Sequence, residues 1–346
     1  MDELKANKPT GLFPAFLWPK EDELFSSWVV RLAHAHYMKV HTFSNVYFPE
    51  QQFWNRDIDR SVSENVISLI AKGCNYSFKM ALNTTLKKSE ILLTGNISTN
   101  TSSKWISPLG VYHRRWRKNG ISYCPNCLKL DDKEPYFRKK WRFALSVVCD
   151  KCGIMLYDKC PQCEYPIIFF RADLGQKSEV TGNDLNKCFN CGYSLESSLI
   201  INAPSELLSM QIELYRIMNE GKNKEVFYSF AYFEVLHGII KIIAASNLKS
   251  VFIRKKLFAQ LHIEDEFFEG GFKYRFEALS ISTRAKLLIA AFWLLDDWPF
   301  RFIDFFKNEG IYSSTLLIED INWPFWYWSV VFTNFHKSNT NRLFYY

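Results

Sequence analysis

The sequence predicts a mainly α-helical protein with a small β module of two tandem zinc ribbons near its centre. Cysteine pairs crowd into the middle of the chain, and apolar residues recur with helical spacing on both sides of them. The length of 346 residues allows two or three domains. We therefore expect a helix-turn-helix-like N-terminal domain over residues 1–105, a double zinc-ribbon module over 106–201, and an α-helical C-terminal domain over 202–346.

Eight of the nine cysteines form four Cys-x-x-Cys pairs. In such a pair the two intervening residues let both sulfurs reach one tetrahedral ion at about 2.3 Å. The loops between successive pairs contain 21, 7 and 24 residues. This spacing favours one ion for the first two pairs and another for the last two, although the sequence leaves a crossed pairing open. The predicted ligands are Cys124, Cys127, Cys149 and Cys152 for the first zinc ion, and Cys160, Cys163, Cys188 and Cys191 for the second.

Four thiolates fill a tetrahedron, so both predicted zinc ions are structural cofactors. A disulfide framework is the first alternative, but it is typical of small secreted chains with a signal peptide. Residues 1–8 are polar and charged and no apolar segment follows them, so we expect a reduced, cytoplasmic protein. Redox cysteine pairs are the second alternative, and four of them without a βαβ pattern would be unusual. Cys74 stands alone and is expected to be a small buried residue.

The composition excludes a disordered chain, since 48% of the residues are hydrophobic and 17% are aromatic. The formal net charge of +7 supports nucleic-acid binding only weakly. No apolar stretch reaches the length of about 18 residues that spans a bilayer. We expect a soluble protein without a membrane partner.

Basic residues alternate with aromatic rings on both sides of the first cysteine pair. Such a pattern suits phosphate contact combined with base stacking. The alternative is a solvated face whose aromatic rings pack on the zinc module. The predicted nucleic-acid contacts in these segments are Arg114, Arg115, Arg117, Arg138, Lys139, Lys140 and Arg142.

Helical periodicity in the N-terminal part predicts helices over residues 24–36, 62–71 and 77–88. The last two are separated by a short glycine-containing turn, which is the plan of a helix-turn-helix unit, although any small three-helix core has a similar pattern. The third helix would present polar side chains to phosphates or base edges. Its predicted nucleic-acid contacts are Lys79, Asn83, Thr84, Lys87 and Lys88.

The C-terminal part predicts an aromatic-rich helical bundle. The expected helices cover residues 207–218, 226–245, 251–261, 282–295 and 300–307. Beyond them, the aromatic run at residues 323–328 is hard to bury entirely. We therefore assign Trp326 and Trp328 to a partner-binding surface.

Six segments of the sequence together form a specific pattern: Phe13-Pro14 to Pro19, Asp22 to Ala33, Cys124 to Cys127, Tyr136 to Arg142, Val148 to Leu156, and Asp158 to Cys163. These segments resemble the TniQ/TnsD family, whose members are accessory proteins that select target sites for bacterial transposons. The resemblance extends from residue 12 to about residue 200. It departs from the family at Cys152, where the family usually has histidine, and both residues are zinc ligands.

The resemblance implies a protein that is not an enzyme. Family members recognise DNA or sit on a guide-RNA complex, as in CRISPR-associated transposons, and recruit an AAA+ ATPase that activates the transposase. Members of the family can dimerise, so the resemblance allows a homodimer, although no coiled-coil heptad in the sequence indicates one. The sequence agrees on the absence of catalysis, since it contains no phosphate-binding loop, no His-Glu-x-x-His motif and no Gly-x-Ser-x-Gly elbow.

Three other functions remain open from the sequence. One is a protein-only docking adaptor that does not touch DNA. The second is a stand-alone zinc-ribbon and helix-turn-helix DNA-binding regulator. The third is a zinc-dependent hydrolase or nuclease, which would need an open coordination position at one of the ions.

Overall fold

The computed structural model describes residues 11–49, 51, 53–98, 102–109, 120–171, 184–222, 224, 226–265, 275–319 and 321–336. The described chain is mainly helical and contains a small two-stranded sheet. It divides into two compact units, one of residues 1–91 with 97–203 and the other of residues 92–96 with 204–346. The mainly helical fold class is confirmed, and the division into three domains stays a prediction.

The helices α1 to α7 and both strands precede residue 156. The structure confirms the helices predicted over residues 24–36 and 62–71, as α1 and α4. The elements are α1 (Phe25–Ala35), α2 (Val40–Tyr47), α3 (Ile58–Ser61), α4 (Glu64–Gly73), α5 (Phe78–Leu82), α6 (Lys87–Thr94), α7 (Pro125–Leu130), β1 (Val148–Cys149) and β2 (Ile154–Met155).

The helix predicted over residues 77–88 is two short helices, so this prediction is wrong in length. Helix α5 ends at Leu82 and α6 begins at Lys87. Between them, the hydroxyls of Thr84 and Thr85 each donate a 2.7 Å hydrogen bond to the carbonyl three residues earlier. Such local bonds compete with a continuing helix. The helix-turn-helix plan therefore stays a prediction, with a second helix of five residues.

The helix α1 is the buried centre of the N-terminal part. Its apolar stripe includes Trp28, Val29 and Leu32, all fully buried. Its first turn is held by a carboxylate from α3, because Asp59 accepts hydrogen bonds from the backbone nitrogen of Ser26 at 2.7 Å and from its hydroxyl at 3.0 Å. A negative charge at this end also favours the helix dipole.

The strands β1 and β2 form an antiparallel hairpin, in which Val148 pairs with Met155 and Cys149 with Ile154. The turn requires a left-handed backbone at Gly153, where φ is 66°. Glycine adopts this conformation without a steric penalty. The hairpin therefore brings Cys149 and the following Cys152 to the same tight turn.

The second unit contains helices α8 to α14. Helix α9 packs against α8, α10 and α11, and its apolar residues form the core there. The five helices predicted for this part are confirmed within a few residues, whereas α13 and α14 were not predicted. The elements are α8 (Ser205–Glu220), α9 (Ser229–Ala244), α10 (Leu248–Gln260), α11 (Ile281–Asp296), α12 (Phe300–Asn308), α13 (Ser313–Leu316) and α14 (Phe325–Phe335).

No single helix in the described part of the chain is both long and apolar enough to cross a bilayer. The pair α9 and α10, bent by 103° at its junction, meets the length and composition criteria only jointly.

Candidate metal centres and basic residues

The first metal centre is built from α7 and the β1–β2 hairpin. Cys124 caps the start of α7, where its sulfur accepts a 3.3 Å hydrogen bond from the backbone nitrogen of Cys127. The Sγ of Cys127 lies 3.6 Å from those of both Cys149 and Cys152. Cys124, Cys127 and Cys149 are buried, and Cys152 is half-buried. The four sulfur atoms thus lie close together below the surface of the first unit.

The second metal centre is made of two similar turns. In the first turn, the nitrogen of Cys160 donates to the carbonyl of Tyr165 at 2.9 Å, and in the second that of Cys188 donates to Tyr193 at 2.8 Å. The cross-turn sulfur distances are 3.7 Å for Cys160 to Cys191 and 3.7 Å for Cys163 to Cys188. Cys160 and Cys188 are buried, Cys163 is half-buried and Cys191 is exposed.

Both clusters fit a tetrahedral zinc ion. A Zn–S bond of about 2.3 Å makes the edge of a tetrahedron about 3.8 Å, close to the observed sulfur separations. The ligand atoms of each cluster all lie within 4.8 Å of one another. The structure therefore groups the cysteines as the sequence analysis assigned them, without crossed pairing. Each group can hold one metal ion, and zinc is the ion that four thiolates in this geometry favour.

The cysteines of each cluster shift one another's thiol pKa values. Hydrogen bonds from Cys124 and Cys127 lower the pKa of Cys149 to about 2. In the second cluster, burial raises the pKa of Cys188 to about 12. A metal ion binds the thiolate form, so it must displace the thiol protons, and binding at both clusters competes with acid. Cys74 belongs to neither cluster, and burial raises the pKa of its thiol to about 11. It is the buried small residue that the sequence predicts.

Arg138 is one of the predicted nucleic-acid contacts, and it lies inside the first unit. Its guanidinium pairs with Asp131 at 2.8 Å. It also stacks over the rings of Tyr136 and Trp141, with its central carbon 4.2 and 4.7 Å from their centroids. The side chain is buried. The rings of Tyr136 and Trp141 thus pack on a buried arginine, whereas the alternative interpretation of the segment expected a solvated face whose rings pack on the zinc module.

The neighbouring lysines are partly buried and also have acidic partners. Lys140 pairs with Asp150 at 2.7 Å, and Lys139 lies 3.9 Å from Asp22. The ammonium group of Lys139 also donates to the carbonyl of Asn83. Contact of these two lysines with nucleic acid stays a prediction, and it would compete with these intramolecular partners.

The predicted phosphate contact is wrong for Arg142, because its side chain is fully buried. The guanidinium donates to Asp57 at 2.6 Å and to Asp59 at 2.8 Å, and it bonds the carbonyl of Ser107 at 3.1 Å. Asp59 in turn holds the start of α1 through Ser26. Arg142 therefore links the cysteine-rich segment to the N-terminal helices within the first unit. No sequence signal identified the two aspartates, which lie more than 80 residues before the arginine.

The predicted contacts in α5 and α6 differ in exposure. Thr84 is buried, so its predicted nucleic-acid contact is wrong. Lys87 is half-buried and donates to the carbonyl of Val62 at 2.9 Å. Lys79 and Lys88 are exposed, and Asn83 is half-buried. The predicted contacts Arg114, Arg115 and Arg117 lie outside the described residues.

The predicted partner-binding tryptophans both lie on α14 but differ in surroundings. Trp326 is half-buried, and its ring contacts that of Trp298 edge to face at 4.9 Å. Trp328 is 41% exposed and stacks between Phe325 and Phe332, which are 77% and 44% exposed. The three stacked rings form an exposed aromatic stripe on a helix that contains no charged residue. Partner binding stays a prediction, and the stripe supports it for Trp328.

A comparison with known protein families assigns a domain type to part of the first unit. A family model described as TniQ matches residues 14–156. Residues 14–156 are a TniQ domain. The predicted resemblance is confirmed over this range, and a search of curated proteins gives no match to the chain. The TniQ domain contains the first metal centre and the Arg142 linkage, and it ends before Cys160, the first ligand of the second centre. This match covers less than half of the 346 residues of the chain.

Proposed function

We propose that this protein is a non-catalytic target-selection adaptor of DNA transposition. It binds DNA directly or through a guide-RNA effector complex, and it recruits an AAA+ ATPase. The TniQ domain over residues 14–156 is the observation that carries the proposal. The cysteine geometry supports the proposal. A zinc ion bound by four thiolates stabilises the fold and has no open coordination position for a reacting water.

A reconstituted insertion assay tests this function. The assay combines transposase, AAA+ ATPase, donor DNA and a target plasmid, with or without the purified protein and its effector complex. We expect insertion at one preferred site only when the protein is present, and direct binding of the ATPase to it. Equal insertion at that site in its absence, or failure to bind the ATPase, would count against the adaptor.

Direct DNA contact is best tested at Lys79 and Lys88, the two exposed lysines of α5 and α6. We expect the double alanine variant to bind DNA more weakly, by a similar factor for every sequence. The slope of log affinity against log salt should decrease by about one for each lost phosphate contact. Lys129→Ala removes an exposed lysine from α7 and serves as the matched control. An unchanged slope in the double variant would assign α5 and α6 to another role.

A second candidate function is a docking adaptor that binds proteins and does not touch DNA. Two observations favour it. Arg138, Lys140 and Arg142 each have a carboxylate partner inside the protein. In addition, the stripe of Phe325, Trp328 and Phe332 is exposed. Exposed aromatic side chains are the commonest energetic anchors of protein interfaces.

The docking function predicts a strong effect of Trp328→Ala. The variant should bind the purified effector complex or ATPase about 2 kcal/mol more weakly, which is roughly 30-fold in Kd, because an anchor loses its buried contact area. Phe252→Ala, at a 43% exposed phenylalanine on α10, is the control. Calorimetry at two salt concentrations should give nearly equal affinities for the unmodified protein. A steep salt dependence with no effect of Trp328→Ala would favour direct DNA binding.

A further inference from the structure

The two metal centres differ in how far solvent reaches their sulfurs. In the first centre, Cys124, Cys127 and Cys149 are all buried and only Cys152 is half-buried. In the second centre, Cys191 is exposed and Cys163 is half-buried. An exposed metal thiolate is open to small reagents in water, whereas a buried one is reached only when the fold opens.

The packing around the sulfur atoms also distinguishes the two centres. Each centre has one asparagine side chain at a sulfur: Asn126 donates to the Sγ of Cys152 at 3.3 Å in the first centre, and Asn190 hydrogen-bonds Cys163 in the second. Leu128 and Val147 are fully buried in the part of the unit that contains the first centre, and Cys149 belongs to a strand. The second centre is held by two tight turns, each closed by an isolated bridge, Lys159 with Pro166 in the first turn and Lys187 with Ser194 in the second. Residues that orient metal ligands commonly raise metal affinity by about 10- to 100-fold.

We propose that the second metal centre is a redox-sensitive zinc site, which releases its ion on oxidation by a peroxide while the first centre stays loaded. The proposal does not depend on the function proposed above. It requires only that both cysteine groups bind zinc.

The chemistry follows from the sulfur pair Cys160 and Cys191, whose Sγ atoms lie 3.7 Å apart. The exposed Cys191 thiolate attacks one peroxide oxygen, so an S–O bond forms, the O–O bond breaks and hydroxide leaves. The Cys160 thiolate then attacks the sulfur of Cys191, which forms the disulfide and expels a second hydroxide. The sulfur pair loses two electrons and hydrogen peroxide gains two. A zinc ion bound at this centre would keep only Cys163 and Cys188 as thiolate ligands and would dissociate.

The structure places this change outside the TniQ domain. All four ligands of the second centre follow residue 156, where the family match ends. Loss of the second ion should therefore loosen residues 157–171 and 184–198 and leave the TniQ domain folded. An adaptor built in this way would lose one part of its structure under oxidising conditions and keep the other.

The test uses the full chain loaded with two equivalents of zinc, verified by elemental analysis. Hydrogen peroxide is added in the presence of a chromophoric zinc indicator, and trypsin digestion with mass spectrometry locates the oxidised cysteines. We expect one equivalent of zinc to appear at least about tenfold faster than the other. The disulfide Cys160–Cys191 should accompany the fast phase, with Cys124, Cys127, Cys149 and Cys152 still reduced. Release of both ions at one rate, or earlier oxidation of the first centre, would overturn the proposal.

Two variants separate the centres without removing a ligand. Asn126→Ala deletes the hydrogen bond to Cys152, so it should accelerate the slow phase and leave the fast phase unchanged. Cys74→Ser removes a buried cysteine that belongs to neither centre, and it should change neither phase. Acceleration of the fast phase by Asn126→Ala would mean that the phases belong to the opposite centres from those proposed.

Discussion

Removal of both metal ions should unfold the cysteine-rich part of the first unit, over residues 120–171. Apart from the short helix α7, its regular secondary structure is two strands of two residues each and short 3₁₀ turns. Elements this short are not stable alone. Structural zinc contributes about 10–16 kcal/mol of apparent binding free energy to folding, which is as large as the whole stability of a typical domain, about 5–15 kcal/mol.

Hydrogen exchange with mass spectrometry measures this effect directly. After treatment with a chelator, peptides that contain Cys124 to Cys152 should lose protection, whereas peptides from α8 and α9 should keep it. The variant Cys149→Ser should show the same local loss, together with poor solubility and loss of target selection. A metal-free protein, verified by elemental analysis, that retains full protection over residues 120–171 would show that these cysteines do not hold the fold together.

The metal centres could be predicted from the sequence because their signal is local. A Cys-x-x-Cys pair is visible within four residues, and the loop lengths favoured the pairing that the structure has. Helices α1, α4 and α8 to α12 were also predictable, since their apolar residues recur at helical spacing. Helix α14 was not predictable in this way. Aromatic and β-branched residues fill most of its positions, so it shows no contrast between a buried and an exposed face.

The basic segment shows where sequence reasoning fails. Arginine and lysine alternating with aromatic rings look the same in a nucleic-acid-binding surface and in a buried ion-pair network. The difference lies in the partners, and Asp57 and Asp59 are separated from Arg142 by 85 and 83 residues. Their proximity is a property of the tertiary fold. Burial of Arg142 therefore became visible only in the structure.

The second large effect is expected at this ion-pair network. Replacing Arg142 by methionine should destabilise the first unit by about 3–5 kcal/mol, because it leaves two carboxylates without their guanidinium partner. Asp59 is fully buried and the side chain of Asp57 is 16% exposed. Removing the arginine should also weaken the hydrogen bonds that Ser26 donates to Asp59 at the start of α1. Denaturant unfolding followed by near-ultraviolet circular dichroism would measure the loss.

A matched control is the pair of Lys140 with Asp150, in which both side chains are about one-fifth exposed. Since solvent screens this pair, Lys140→Gln should cost less than about 1 kcal/mol. A triple variant that also replaces Asp57 and Asp59 by apolar residues should recover much of the stability lost in Arg142→Met, because no charge is then left buried alone. Equal losses for Arg142→Met and Lys140→Gln would contradict a special role of the buried network.

The pH dependence distinguishes a lost charge pair from a lost packing contact. Burial raises the pKa of Asp59 to about 7, the Arg142 guanidinium opposes this rise, and Asp57 adds to it. A carboxyl whose pKa is raised in the folded state binds its proton more tightly when folded. Its stabilising contribution is complete below the unfolded pKa of about 3.8 and is lost as pH rises through about 7. Without Arg142 the pKa of Asp59 rises further. The difference in unfolding free energy between Arg142→Met and the unmodified protein should therefore be smallest near pH 5 and largest above pH 7. A packing defect alone would give the same difference at both pH values, so unfolding curves at pH 5 and pH 8 decide between the two explanations.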